Sequence, residues 1–192
     1  MNTQARRQKT EKLVLAALLT ALVVLLQYLG AFVRFGPFSI SLVLIPIVIG
    51  AATCGAGIGA WLGFVFGVVV LISGDAAAFL AVDVIGTVVT VLVKGTACGL
   101  CAGLVYKLLE KVNMWVAVIA AALVCPIVNT GVFLVGCLIF FMDTVTVWAG
   151  GSNVGHYMIF GLVGGNFLFE VLFNIILSPG VVRLLNIKKL KK

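Results

Sequence analysis

Asp83, Thr87, Thr90 and Lys94 follow one another at steps of four, three and four residues. On a helix those steps share one face, which puts Lys94 about 16 Å along the axis from Asp83. Asn166, Glu170 and Asn174 repeat at steps of four and form a second polar face. Asn129 and Thr130 follow three and four residues after Pro126. All three groups lie inside otherwise apolar stretches. An amine there can hold a carboxylate, while a carboxylate and amides can accept from and donate to hydroxyls and amides. This is the chemistry of recognising a polar solute, or of tying helices together. It is not the chemistry of catalysis. The chain has no glycine-rich loop ending in Lys-Ser/Thr for ATP, no His-Glu-x-x-His and no Gly-x-Ser-x-Gly. Its one histidine, His156, cannot make a metal site alone. The expectation is a non-enzyme without a cofactor or a metal.

The elements that carry these residues are set by composition. Of 192 residues, 63% are hydrophobic and 10% charged, and the mean hydropathy is +1.29, a balance that excludes a soluble domain. A spanning helix needs about 20 mostly apolar residues. Six candidates are read: Leu13–Val33, Ile40–Cys54, Gly57–Ile72, Val84–Tyr106, Trp115–Phe141 and Tyr157–Pro179. The second and third are short, and one bent helix in their place would make five. Basic residues favour the cytoplasmic side. Arg6, Arg7, Lys9 and Lys12 precede the first stretch, and Arg183, Lys188, Lys189, Lys191 and Lys192 follow the last. Both ends therefore belong inside, which requires an even number of crossings. Six crossings put eleven of the thirteen basic residues inside and leave Arg34 in the first outer loop and Lys94 in the bilayer. The fold class expected is an all-α integral membrane protein, one domain over residues 1–192, with six transmembrane helices and both termini cytoplasmic. The net charge of +7 is then a topology signal with attraction to anionic membrane lipid, and nucleic acid is not a partner. The first stretch is too long for a signal peptide and lacks a clear cleavage site.

Lys94 and Glu170 are costly where they are: a charge at the bilayer centre costs roughly 2.5–3.5 kcal/mol on insertion scales. Two readings account for them. In one, they form a buried ion pair that joins helices, with the asparagines bonding across the bundle. In the other, they line a cavity open to the outside. The number of polar residues sharing these faces favours the cavity, and the two readings are compatible in sequence. The glycines have a packing role. Gly55, Gly59, Gly63 and Gly67 recur every fourth residue, as do Gly95, Gly99 and Gly103, a spacing that lets backbones approach closely. Ala17 and Ala21, with Ala16 beside them, make a small-residue face on the first stretch. Cys98 and Cys101, like the other three cysteines, read as small packing residues. The outer loops Ser73–Asp83 and Met142–His156 are the longest, and the second carries Trp148 among glycines.

Size, six stretches, two inward ends and the alanine-x-x-x-alanine face together resemble the substrate-binding S components of energy-coupling factor (ECF) vitamin transporters. The segment from Phe38 to Ala52, with Ile40-Ser41-Leu42 and Ile45-Pro46-Ile47, resembles the second helix of that group, and Gly55–Gly67 the third. The resemblance spans essentially the whole chain. It implies a multi-pass protein of the bacterial plasma membrane whose partners are a transmembrane coupling protein and two cytoplasmic ATPases. It implies that Ala17 and Ala21, with Ala16 adjacent, lie on the face that docks on the coupling protein. It further implies a vitamin pocket made by the last three helices and capped by the first and fifth connecting loops. Carried over to this chain, the pocket draws on Lys94, Asn129, Asn166 and Glu170, with Thr87 and Thr90 on the same face. Arg34, Trp148 and His156 fall in the lids.

The second-helix pattern is most similar to pantothenate-type members, and Lys94 suits a carboxylate-bearing vitamin. Riboflavin and folate are the alternatives, with riboflavin weakened by few aromatic side chains on the relevant faces. A stand-alone proton-coupled secondary transporter using Glu170 is the alternative outside this class.

Overall fold

In a computed structural model of the chain, residues 3–30, 34–35, 38–39 and 41–190 are described, with side chains over 6–7, 9–30 and 41–186. The described chain is almost wholly helical. In order it runs α1 (Thr3–Gly30), a hairpin of β1 (Arg34–Phe35) and β2 (Phe38–Ser39), α2 (Leu44–Cys54), α3 (Ala56–Ile72), α4 (Ala77–Leu80) and α5 (Val84–Leu109). Then follow α6 (Met114–Phe140), α7 (Met142–Trp148), α8 (Val154–His156), a π-helix (Tyr157–Gly164) and α9 (Gly165–Leu190). In the hairpin Arg34 pairs with Ser39 and Phe35 with Phe38.

Among the described residues, four helices are long and apolar enough to cross a membrane: Lys9–Gly30 of α1, α5, α6 and Val154–Asn186. α2 and α3 are shorter apolar helices. α2 extends only about 16 Å, roughly half of a hydrocarbon core. They are not one bent helix. Gly55 takes φ +104°, a conformation that strains any residue with a Cβ, and the chain folds back there. Gly50 comes against Leu62, and Gly59 against Ala51. In a continuous helix those pairs would stand about 18 and 12 Å apart.

The glycine ladders join α3 to α5. Gly59 faces Gly99, Gly63 faces Gly95, and Gly67 lies against Val91 and Leu92, all backbone to backbone. A methyl at Gly63 would land on the Gly95 carbonyl. Gly63→Ala is therefore expected to destabilise the protein by about 3 kcal/mol, the upper end for an overpacked site. Gly57→Ala, with nothing within 4 Å of an added Cβ, is expected to be neutral. Thermal unfolding of the detergent-extracted variants checks the pair; equal melting would show that this contact is not close.

Local chemistry sets the ends of the long helices. The Asp83 carboxylate accepts from the Gly86 N–H at 3.1 Å at the start of α5. Asn113 accepts from Trp115 and Val116 at the start of α6. Both are cap arrangements that satisfy exposed helix donors. Several boundaries differ from the sequence reading: α1 begins at Thr3 rather than Leu13, and α2 at Leu44 rather than Ile40. The last helix continues through Pro179 to Leu190 rather than ending there, since a proline within a long apolar helix kinks it more readily than it stops it. The sixth stretch opens with a π-helix rather than an α-helix, a departure to which 3.6-residue periodicity is blind.

Candidate functional site

The two polar faces and Asn129 meet. Lys94 from α5, Asn129 and Thr130 from α6, and Asn166 and Glu170 from α9 line one cavity, with about 460 Å³ of non-atom space when its open mouth is included. Ser41, Phe66, Asp75, Phe133 and the π-helix residues Leu162 and Val163 complete its wall. A second lobe adjoins it and is lined by Thr87, Thr90, Phe79 and Phe141. Lys94, Asp75, Val70 and Phe133 belong to both lobes, so Lys94 stands where they join.

Lys94 is not spent on Glu170. Among the described residues the one ion pair is Arg7–Glu11 on the surface, at 3.1 Å. The Lys94 ammonium instead lies 5.2 Å from the Phe133 ring centroid and 5.8 Å from that of Phe66, within range for a cation over two aromatic rings. Glu170 is buried beside Ser41 and Asn129, both placed to donate to its carboxylate. Among the described residues its Oε2 has no hydrogen-bond partner, and neither do Asn129 Oδ1 and Thr90 Oγ1. Buried polar atoms are nearly always bonded, and leaving one bare costs about 1–3 kcal/mol. Glu170 and Asn129 line the first lobe and Thr90 the second.

Thr90 gives a direct check. Thr90→Val keeps the shape and removes the bare hydroxyl. It is expected to raise thermal stability, by about 1 kcal/mol, and to weaken ligand binding. A variant that melts lower would mean that the hydroxyl is already used within the fold.

The remaining residues named from sequence are placed as follows. Thr87 bonds the Asp83 carbonyl at 2.6 Å and lines the second lobe. Trp148 is half-buried on α7 and does not line either lobe; its ring packs edge-on against Phe79 at 5.3 Å. Phe79 also meets Phe133 and Phe141 at 5.5 and 5.0 Å, so the 73–83 and 142–156 connections meet beside the second lobe through one aromatic cluster. His156 is exposed beside Phe160. The side chain of Arg34, and most of the first loop, lie outside the described residues. Asn174 is buried away from the cavity. On α1, Ala17 and Ala21 are exposed, whereas Ala16 is 7% exposed and turned into the bundle; it backs the small-residue face rather than presenting it.

Sequence reasoning missed Asp75, Ser41 and Phe66. Asp75 falls in the Ser73–Asp83 loop, and Ser41 in the second-helix pattern. Neither belongs to a polar periodicity. Phe66 and Phe133, flanking Lys94, also remove the objection that flat rings would find no aromatic neighbours here.

Residues 11–184 match the family described as ECF transporter, substrate-specific component. The chain belongs to that family. It is an S component, a multi-pass membrane subunit that binds a substrate and works with a coupling protein and ATPases, and its family is not one of enzymes. No curated protein matches the chain closely enough to stand as a named relative.

Proposed function

We propose that this S component captures a water-soluble vitamin from the outer side of a bacterial plasma membrane and delivers it through a coupling protein driven by two cytoplasmic ATPases. The observation that carries the reading is the cavity in which Lys94, without an ion pair among the described residues, shares the lining with Glu170 and Asn129 in the first lobe and with Thr90 in the second, each carrying an oxygen unpartnered among those residues. Lys94 holds the ligand's carboxylate, and Glu170, Asn129 and Asn166 bond its hydroxyls or amides. The chain crosses the bilayer six times with both ends inside, α2 being the short crossing. Arg34 and Trp148 belong to the two outer lids, Thr87 and Thr90 line the second lobe, and Ala17 and Ala21, backed by Ala16, form the coupling face.

Pantothenate is favoured by the second-helix pattern and by the carboxylate that Lys94 invites. Phe66 and Phe133 support riboflavin and folate as alternatives, because a flat ring gains from stacking or edge contacts. The test is uptake of each labelled vitamin by cells expressing the S component with and without a coupling protein and ATPases. One vitamin should enter only with the partners present. Uptake that needs no partner and collapses with the proton gradient would contradict the reading.

A further inference from the structure

Gln27 lies within the apolar run of α1 and is 1% exposed. A primary amide so placed is costly unless it is bonded. Its Nε2 donates to Asp75 Oδ2 at 3.3 Å, across 48 residues of chain. Asp75 in turn lines both lobes of the cavity beside Lys94. Two other side-chain bonds hold α1 to the α2–α3 hairpin. The Trp61 indole donates to Thr20 Oγ1 at 3.3 Å, and Cys54 Sγ to the Lys12 carbonyl at 3.8 Å. Both of those lie at the exposed surface. Of the three, the Gln27 bond is the part-buried one and the one that reaches the cavity.

Gln27 shares the inward face of α1 with Ala16, Leu19 and Val23. The opposite face shows Ala17 and Ala21, about 15 and 9 Å along the same rigid helix. A displacement of Asp75 therefore has a short, packed route to the outer face of α1.

We propose that Gln27 is a positioning residue that holds the Asp75 carboxylate in the cavity wall, and that through this bond the setting of α1 follows the state of the cavity. Its biological meaning, a signal of occupancy to the coupling protein, rests on the function proposed above. Such a link is reciprocal: docking on α1 changes ligand affinity by the same factor as ligand changes docking.

The structure supplies a reporter, since Trp61 bonds α1 at Thr20. In the full chain in detergent, Trp115→Phe and Trp148→Phe leave Trp61 as the single tryptophan. Lys94→Met then disturbs the cavity. The expected result is a shift in Trp61 emission and in its quenching by acrylamide when Gln27 is present, and no shift in a Gln27→Leu background. Gln27→Met serves in the same way if the leucine variant does not fold. The same shift in both backgrounds, or none in either, overturns the proposal. The measurement needs no ligand and so separates the two claims. Partner-dependent uptake with an uncoupled Trp61 defeats the inference alone, and a coupled Trp61 without such uptake defeats the functional reading alone.

Discussion

Lys94→Ala is expected to abolish ligand binding and to leave a folded, extractable protein. Removing one partner of a buried charge pair costs about 2–5 kcal/mol, which is roughly 30-fold to several thousandfold in Kd. The unliganded protein has less to lose. Lys94 has no ion pair among the described residues, and its removal takes an expensive charge out of an apolar surrounding. Titration of the candidate vitamins against wild type and variant measures the first effect, and thermal unfolding without ligand measures the second. If Lys94 instead secures the bundle through Glu170, the single variant should unfold and a Lys94→Ala/Glu170→Gln double variant should recover stability. The cavity reading predicts that the double variant stays unable to bind.

Ala17→Trp or Ala21→Trp is expected to block transport while ligand binding stays at the wild-type level. Both alanines are exposed and sit on the side of α1 opposite the buried Leu19, Val23 and Gln27. A bulky ring there leaves the bundle untouched but holds any docked helix away from a face where small residues allow close approach. Uptake with partners present, compared with binding to the isolated subunit, separates the two effects. Normal uptake by both variants would mean that α1 docks by another face. Ala16→Trp is a different experiment: that side chain points inward, and loss of folded protein is the expected result.

What the sequence made legible follows from periodicity. The four-three-four spacing of Asp83, Thr87, Thr90 and Lys94 lies on one helix, as does that of Asn166 and Glu170, so each face could be read without knowing its neighbours. The glycine ladders gave a packing role for the same reason, and they meet each other between α3 and α5. Asp75, Ser41 and Gln27 were not legible as site residues. Each is a single polar residue beside apolar ones, and only the packing of α1, α2, α3 and α9 brings them near one another. The π-helix escaped because its wider turn leaves no mark in a pattern read at 3.6 residues. Yet it carries Leu162 and Val163 into the cavity wall. The reversal at Gly55 was half legible: the weak boundary was visible, but the choice between a bend and a hairpin depended on the backbone angle.

The central claim is that the Lys94 cavity holds a small polar ligand, and mass spectrometry of the molecules that copurify with the detergent-extracted protein tests it most directly. One vitamin is expected in near-stoichiometric amount with wild type, lost from Lys94→Ala purified in parallel. A vitamin that stays bound at the same level to a folded Lys94→Ala protein would contradict it.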